Sequence, residues 1–271
     1  MTNKTLSDRQ VSDYWYTWFM EGPPPNEQRL RSIFRLFPAE ARCSYCLAPF
    51  TGIGSWLARA ALDKHRSSHH PGFCNVCDHF AQAYGGGADV DMAMLFMDIR
   101  GSTQLSTQLS PRAFSQKIES FYGVSTQIIT AANGFVERLA GDEVIAYFGP
   151  GLTGEDYVKN AIHCGLEILA ATGHQAADGP EIPLGGSVHA GSTFFGSVLG
   201  PNKLYSITAL GAEVNTAARI AAQAETGELL VSHPAMQAAQ LRIEGHEQRA
   251  LQIKGLPEPT RVAVLRPSDL D

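Results

Sequence analysis

The apolar residues in the first third of the chain recur at helical spacing. Val11, Trp15 and Trp18 fall on one face of a predicted helix, and Ser7 with Gln10 forms a capping box at its start. The rest of this segment is rich in aromatic residues, cysteine and histidine but has few long apolar runs. A segment of this composition needs more than a hydrophobic core to hold its fold.

From about residue 90 onward, the apolar pattern predicts alternating strands and helices. Met92–Met97 is an apolar run that predicts a buried strand, and Ser110 followed by Pro111 predicts the start of an amphipathic helix. Two predicted strands flank residues 140–143, which form a hairpin turn. The other predicted elements are helices over 155–171 and 212–223 and strands near 184–190, 194–199, 228–232, 250–254 and 261–265. This order predicts an α+β domain in which helices cover an antiparallel-rich sheet.

Three consecutive glycines, Gly85–Gly87, lie between the two patterns. Glycine has no side chain to pack and leaves the backbone free, so a run of three predicts a boundary. We therefore predict two parts, an N-terminal module over 1–85 and a larger domain over 86–271.

The net charge of −6 argues against a general nucleic-acid-binding protein. The charge is uneven, because residues 1–88 carry nine Lys and Arg against seven Asp and Glu, whereas residues 89–271 carry twelve against twenty. An acidic domain needs metal ions or a local cationic pocket to bind a polyanion such as a nucleotide. The N-terminus lacks the apolar core of a signal peptide, and no apolar run is as long as a membrane span, so we expect a cytoplasmic protein.

Two acidic positions lie at predicted turns. Asp98 ends the buried strand and is followed by a turn of small residues, whose free backbone N–H groups can hold phosphate oxygens. Asp142 lies at the tip of the predicted hairpin. Each alone is typical of an ordinary turn, but a hairpin beside the first strand brings the two carboxylates together. Converging carboxylates next to a phosphate-binding turn are what a two-metal phosphoryl-transfer site requires.

Residues 90–265 resemble the catalytic domain of class III adenylyl and guanylyl cyclases. The stretches that carry the resemblance are LFMDIRGST, GFVERLAGDEVIAYFG, SVHAGSTFFGSVLG, ITALGAEVNTAARI and LQIKGLPEPTRVAVL. The resemblance implies a ferredoxin-like cyclase fold, and an in-line attack of the ribose 3′ oxygen on the α-phosphorus of a nucleoside triphosphate, with pyrophosphate leaving.

The resemblance also implies a metal and phosphate site. Asp98 and Asp142 would hold two Mg²⁺ or Mn²⁺ ions per active site, with the Ile99 carbonyl as a further ligand. Lys254 falls where the family places a cation on the outer phosphates. The residues implied to line the triphosphate are Gly101, Ser102 and Thr103.

Asn215 and Arg219 match an N-x-x-x-R pair of the family and lie four residues apart on one helix face. Asn215 would orient the ribose, and Arg219 would stabilise the charge that develops on the α-phosphate. In the family, the aspartates and this pair come from different protomers. The resemblance therefore implies a homodimer with shared active sites.

Arg138 and Thr208 fall where the family contacts the purine, and they favour ATP as the substrate. Adenylyl cyclases usually carry Lys where Arg138 stands, and guanylyl cyclases carry Glu, whose acceptor oxygens an arginine lacks. Gly185 stands where the family often has an arginine, so one possible phosphate contact is missing. The alternatives are a guanylate cyclase, or a cyclase-like domain that binds nucleotide without turnover and is attached to a zinc interaction module.

Four of the five cysteines form two C-x-x-C pairs. In a reducing compartment such pairs indicate a metal site more often than disulfides. We predict a four-thiolate site for zinc, with an iron–sulfur cluster as the alternative. The module that contains it is expected either to regulate the larger domain or to act as a structural zinc site only. The predicted ligands are Cys43, Cys46, Cys74 and Cys77.

Overall fold

The structure, a computed structural model, describes residues 7–39, 41–68, 72–200 and 205–270. Contacts divide the chain into two compact units, each made of two segments. Among the described residues, no helix is long and apolar enough to cross a membrane. The first unit comprises Met1–Val90 and Phe194–Leu210, and the second comprises Asp91–Thr193 and Gly211–Asp271.

Ten α-helices and eight β-strands lie in the described part of the chain. The helices are α1 (Asp8–Tyr16), α2 (Pro25–Arg35), α3 (Gly52–Leu62), α4 (Asn75–Ala83), α5 (Ser102–Gln108), α6 (Pro111–Ala131), α7 (Pro150–Thr153), α8 (Tyr157–Ala171), α9 (Ala212–Ala221) and α10 (His233–Ala238). The strands are β1 (Gly86–Ile99), β2 (Phe135–Ala140), β3 (Glu143–Phe148), β4 (Leu184–Leu199), β5 (Tyr205–Leu210), β6 (Leu229–Ser232), β7 (Glu247–Leu251) and β8 (Thr260–Leu265). A π-helical turn, Thr17–Glu21, follows α1, and a 3₁₀ turn, Pro267–Asp269, follows β8.

The sheet has the strand order β2-β3-β1-β4-β6-β8-β7, and β5 pairs with β4. The pairing of β4 with β6 is parallel, whereas β1 with β3, β2 with β3, β6 with β8 and β7 with β8 are antiparallel. The start of β1, the end of β4 and all of β5 belong to the first unit. The predicted α+β class, with an antiparallel-rich sheet and helices packed on it, is confirmed.

The core of the second unit lies on both faces of its sheet. Successive side chains of a strand point to opposite faces, and β6 shows this directly. Leu229 and Val231 join a buried cluster that includes Phe121 of α6, whereas Leu230 joins a second cluster with Ile220 of α9. Helix α9 is thus anchored on the face opposite to α6, by apolar contacts with the sheet.

Local signals in the sequence begin and end several elements as predicted. The Ser110 hydroxyl accepts a hydrogen bond from the Ala113 N–H at 3.2 Å and caps α6. Ser7 and Gln10 form the predicted capping box of α1. Gly141, in the turn between β2 and β3, has φ of +64°, a conformation that glycine adopts without strain. The predicted hairpin is confirmed.

The first unit is built around an aromatic core. Trp18 stacks on Tyr45 with ring centroids 4.2 Å apart, and Phe19 lies 4.6 Å from Phe195. Trp15 meets the same Phe195 ring edge-on at 5.7 Å. Since Phe195 belongs to the antiparallel ribbon formed by the end of β4 and β5, this ribbon is part of the core that α1 and the following turn bury.

The glycines at the predicted boundary allow close packing of two backbones. A Cβ atom on Gly87 would lie 2.4 Å from the Phe195 carbonyl oxygen, and one on Gly196 would lie 2.2 Å from that of Gly86. Residues with side chains cannot approach so closely, so glycine is required here for contact and not for freedom. The two units divide after Val90, within β1.

Four strands differ from the sequence prediction. β1 begins at Gly86 and not at the predicted Met92. The strands expected near 184–190 and 194–199 are one continuous strand, β4, which pairs with β6 along its first part and with β5 along its second. β5 was not predicted, although Tyr205, Ile207 and Ala209 alternate with polar residues in the way that a strand does. β7 begins at Glu247 and not near residue 250. Most side chains of this edge strand are exposed, so its sequence does not alternate between apolar and polar residues as a half-buried strand does.

Candidate nucleotide site and four-cysteine site

The two aspartates predicted to hold metal ions are brought together by the sheet. Asp98 pairs with Glu143 across β1 and β3, and the Ile99 N–H donates to the Asp142 carbonyl at 3.0 Å. Burial raises the pKa of Asp98, Arg100 opposes the rise, and the nearby Asp142 adds to it. Two carboxylates that repel each other and are half-buried are stabilised by a cation, so this position fits a divalent metal ion.

Arg100 contacts the site, although the sequence analysis gave it no role. Its Nη2 donates to Asp98 Oδ2 in an ion pair. The Arg100 side chain is largely buried, and that of Asp98 is about one-third exposed. Arg100 follows Asp98 by two residues, just after the end of β1, and a basic residue so close to a candidate metal ligand was a signal that could have found it.

The turn after β1 presents the residues predicted to line the triphosphate. Gly101 has φ of +65° and precedes α5 as its N-cap. Thr103 is exposed, and Ser102 is half-buried. The Arg100 N–H donates to the Pro183 carbonyl at 2.7 Å, which fixes the start of this turn against the second unit's own backbone. The exposed Thr103 end of the turn is therefore accessible to a ligand, while the backbone hydrogen bond of Arg100 fixes the residue where the turn begins.

Asn215 and Arg219 lie on the exposed side of α9, as their spacing predicted. The Arg219 Nη1 donates to the backbone carbonyl of Lys254. Lys254 itself is exposed and lies just after β7, not within a strand as expected. The structure thus brings Arg219 and the Lys254 turn together, while the Lys254 side chain stays open to solvent.

Two buried polar contacts hold α9 on β4. The Ser187 hydroxyl donates to the Ala217 carbonyl at 2.8 Å. His189 is buried, and its two ring nitrogens lie 2.8 Å from the Ser232 hydroxyl and 2.6 Å from the Glu213 carboxylate of α9. His189 is therefore a packed residue of β4, and its side chain also orients the helix that carries Asn215.

The two positions predicted to contact the purine lie in different units. Arg138 is exposed on β2, beside a β-bulge, and forms an ion pair with Glu137 at 3.4 Å. Thr208 is half-buried on β5, opposite Gly196 of β4, in the first unit. Their proposed joint contact with a base stays a prediction.

The four predicted cysteines form one buried cluster in the first unit. Their Sγ atoms all lie within 4.8 Å of one another, and those of Cys46 and Cys74 are 3.7 Å apart. The Cys74 N–H donates to the Cys43 sulfur at 3.3 Å, and Cys74 is the N-cap of α4. Four thiols at this spacing can hold a metal ion.

The Lys64 ammonium lies beside the cluster. Lys64 Nζ is 3.6 Å from the Cys46 sulfur and 3.9 Å from the Cys74 sulfur. Burial alone would lower the pKa of Lys64, but the four cysteines together raise it above its ordinary value. An ammonium group here stabilises sulfur in its anionic form, which is the form that binds metal.

Helix α4 connects the cysteine cluster to the β4–β5 ribbon. Asp78, the residue after Cys77, is buried and accepts a hydrogen bond from the Tyr205 hydroxyl at 2.6 Å. The Ser197 hydroxyl donates to the Ala81 carbonyl at 2.8 Å. Both strands of the ribbon are therefore tied to the helix that begins at the cluster.

An α+β domain that presents adjacent carboxylates, a small-residue turn and an exposed Asn–Arg pair has the parts for chemistry on nucleotide phosphates. The family model for the adenylate and guanylate cyclase catalytic domain matches residues 88–265. The chain belongs to this family, and the resemblance in its sequence is confirmed.

The curated relatives that this chain matches include an adenylate cyclase. The chain is 29% identical over 187 residues to the Mycobacterium tuberculosis protein Rv1318c, covering 66% of this chain and 33% of that protein. It is 28% identical over 147 residues to an adenylate cyclase of Anabaena cylindrica, covering 50% and 28%. The chain thus spans about a third of the length of the curated relatives it matches.

Solved structures of two cyclases are similar to this fold. The guanylyl cyclase Cya2 gives a TM-score of 0.59 at 25% identity, covering 66% of this chain and 93% of that one. The adenylyl cyclase CyaB of P. aeruginosa gives 0.56 at 24% identity, covering 66% and 95%. Together these comparisons establish a nucleotidyl cyclase catalytic domain, which does not by itself fix the base.

Proposed function

We propose that this protein is an adenylate cyclase that converts ATP into 3′,5′-cyclic AMP and pyrophosphate. The observation that carries the proposal is the pair of adjacent carboxylates, Asp98 and Asp142, where β1 ends beside the β2–β3 hairpin. In the reaction, the ribose 3′ oxygen bonds to the α-phosphorus, and the bond from that phosphorus to the bridging oxygen breaks. The 3′ proton passes to solvent, since no side chain is assigned as a dedicated base.

The carboxylates of Asp98 and Asp142 and the Ile99 carbonyl would hold two Mg²⁺ or Mn²⁺ ions, which prefer oxygen ligands. When bound, such ions lower the pKa of the 3′-hydroxyl and neutralise the triphosphate. Asn215 orients the ribose, and the Arg219 guanidinium stabilises the charge that develops on the α-phosphate. For this the Arg219 side chain must exchange its contact with the Lys254 carbonyl for one with phosphate.

The proposed preference for ATP rests on the side chains at the two base positions. Arg138 is exposed and offers only hydrogen-bond donors, and Thr208 has a neutral hydroxyl. Guanine presents an N–H and an amino group on its pairing edge and needs acceptors. Adenine presents an N1 acceptor there, which an arginine donor satisfies.

We further propose a homodimer with shared active sites. Asn215 and Arg219 lie on an exposed helix face, where a second copy of the chain can reach them. Each site then takes its aspartates from one protomer and its Asn–Arg pair from the other. A monomer would be inactive in this arrangement.

At the cysteine cluster we propose zinc. One zinc ion bonded to four sulfurs at about 2.3 Å places those sulfurs about 3.8 Å apart. The 3.7 Å between the Cys46 and Cys74 sulfurs, with all four inside 4.8 Å, supports a single ion. An iron–sulfur cluster needs its thiolates farther apart, because several irons and sulfides lie between them.

The zinc module can regulate the cyclase through the β4–β5 ribbon. Asp78 follows the ligand Cys77 and accepts from Tyr205, and β5 also carries Thr208. Loss of the metal would loosen the helix that holds the ribbon and so change base selection. A purely structural zinc site is the alternative, and it predicts no change in selectivity.

The direct test is an assay of the purified protein with Mn²⁺ and either ATP or GTP, with the cyclic product identified by mass spectrometry. We expect cyclic AMP and pyrophosphate, with a kcat/KM for ATP about tenfold or more above that for GTP. A ratio in favour of GTP would make the protein a guanylate cyclase. Nucleotide binding without pyrophosphate release would make it a non-catalytic cyclase-like domain.

A further inference from the structure

Arg100 occupies a position from which it contacts two parts of the second unit that are far apart in sequence. One arm of its guanidinium, Nη2, forms the ion pair with Asp98. The other arm, Nη1, lies 3.3 Å from the Ala221 carbonyl oxygen and 3.4 Å from those of Ala222 and Ala224. These three carbonyls belong to the C-terminal end of α9 and the turn after it.

The contacts of the Arg100 guanidinium are favourable both at Asp98 and at the end of α9. The last carbonyls of a helix have no partner within the helix and carry its partial negative charge, so a guanidinium there both donates to them and neutralises them. The planar fork of arginine can serve the carboxylate and the carbonyls at once, whereas the single ammonium of a lysine cannot span both.

The neighbouring strand leaves room for the side chain. A Cβ atom on Gly185 would lie 3.2 Å from Arg100 Cδ and 2.6 Å from the Glu225 carbonyl oxygen. Position 185 therefore borders the space that the Arg100 stem fills, and any side chain there would crowd it. Arg100 Nε is buried and, among the described residues, has no acceptor, so the contacts of this side chain are made through its two Nη atoms.

We propose that Arg100 is a positioning residue that couples metal binding at Asp98 to the placement of α9, the helix that carries Asn215 and Arg219. Its positive charge competes with a divalent ion for the Asp98 carboxylate. When a metal ion takes that carboxylate, Nη2 is released while Nη1 stays on the α9 carbonyls. The inference rests on the proposed two-metal site and on the proposed shared-site dimer, in which this α9 gives Asn215 and Arg219 to the other active site, so Arg100 links the two sites.

The test compares Arg100→Gln, Arg100→Lys and wild type, with Arg112→Gln as the matched control at an exposed arginine of α6. Mn²⁺ binding is measured without nucleotide from the free-Mn²⁺ EPR signal at pH 8, on protein isolated with its cysteine site loaded. Turnover with Mn²⁺ and ATP is measured in parallel, and circular dichroism checks that each variant is folded.

We expect Arg100→Gln to bind Mn²⁺ about fivefold or more tightly than wild type, because a competing charge is gone. Its kcat should fall by about tenfold or more, because the end of α9 has lost its anchor. Arg100→Lys keeps the charge and should bind Mn²⁺ as wild type does, with a kcat that still falls. A residue that only stabilises the fold would lower activity without tightening metal binding.

The coupling is overturned if Arg100→Gln binds Mn²⁺ with unchanged or weaker affinity, or if its kcat equals that of wild type. Asp98→Ala distinguishes this result from failure of the two-metal site itself. If Asp98→Ala binds Mn²⁺ like wild type, the metal site has been misassigned, and the proposed function fails with it. If Arg100→Gln does not fold, the Arg100→Lys variant provides the test. A wild-type kcat in Arg100→Lys would overturn the role assigned to the planar guanidinium of Arg100.

Discussion

Individual charged residues in this chain lie beside groups that determine whether they are ionised. Asp98 lies between Arg100, which favours its anionic form, and Asp142, which opposes it. Such a carboxylate is costly without a cation nearby, and the ion pair with Arg100 supplies one in the arrangement seen here. In the proposed metal site, either aspartate alone would leave an incomplete set of ligands, so both positions are expected to be sensitive to substitution.

The first prediction concerns these two aspartates. Asp98→Asn and Asp142→Asn should each lower kcat on the order of a hundredfold or more, since an amide neither carries the charge nor binds Mg²⁺ comparably. Cyclic nucleotide formation and Mn²⁺ binding are the measurements. The matched control is Asp91→Asn, which changes an exposed aspartate on the same strand β1 and should leave both unchanged.

Near-normal turnover in either active-site variant, with the fold intact by circular dichroism, would contradict the assignment of both residues as metal ligands. Loss of turnover in the Asp91 control would show that the strand, and not the ligand set, is what the substitutions disturb.

At the scale of secondary-structure elements, the first unit combines two stabilising features. Its aromatic core joins α1 and the following turn to the β4–β5 ribbon, and its cysteine cluster joins α4 to the segment around Cys43. Burial of Trp15, Trp18 and Phe19 is worth roughly 2–3 kcal/mol for each side chain. A metal ion adds binding free energy that is available only to the folded form.

The second prediction concerns this cluster. Purified protein should contain about one zinc per chain and be colourless. Cys74→Ser, or removal of the ion with a chelator, should lower the Tm of the first unit by about 10 °C or more. The second unit should melt as before, because its core contains no residue of the cluster. Cys164→Ala is the control, since this buried cysteine lies in the other core and should leave the metal content unchanged.

Metal analysis by mass spectrometry and calorimetry together check this expectation. Stoichiometric iron with visible absorption would replace zinc by an iron–sulfur cluster. A changed ATP-to-GTP ratio after Cys74→Ser, or after Tyr205→Phe, favours regulation through the ribbon. An unchanged ratio in both variants leaves the site a structural one.

At the scale of the whole molecule, the proposed chemistry requires two copies of the chain. In the proposed dimer, the aspartates of one protomer act together with the Asn–Arg pair of a second copy. A closed two-fold dimer contains two such sites, because the same pair of surfaces meets twice.

The third prediction uses this symmetry. Asp98→Ala and Arg219→Ala are each expected to be inactive, yet a mixed dimer keeps one site with both aspartates and an intact arginine. An equal mixture after exchange should recover about a quarter of wild-type activity, since half the dimers are mixed and each has one working site. Turnover after mixing, with exchange followed by differently labelled chains, is the measurement.

The matched control mixes Asp98→Ala with Asp142→Ala. Both changes then affect the aspartate side, so every site in the mixed dimer is damaged and no activity should return. Recovery in this control, or none in the first mixture despite verified exchange, would exclude sites shared between protomers.

The sequence determined those features that follow from local rules. Met92–Met97 was predicted as a buried strand because its apolar run ends at an acidic turn, and Ser110 with Pro111 predicted the start of α6. The convergence of Asp98 and Asp142 followed from a hairpin beside a strand. The cysteine pairs predicted one cluster, since their spacing is that of metal ligands.

Only the tertiary structure decided which distant segments meet. The ribbon Phe194–Leu210 joins the first unit, and the glycine run at the predicted boundary allows a close approach of backbones. Arg100 meets the carbonyls at the end of α9, more than a hundred residues away along the chain. Periodicity reports which face of an element is apolar, but it does not report which backbones approach closely enough to need glycine. It also cannot show where the fork of an arginine finds its acceptors, because those contacts exist only after the sheet has formed.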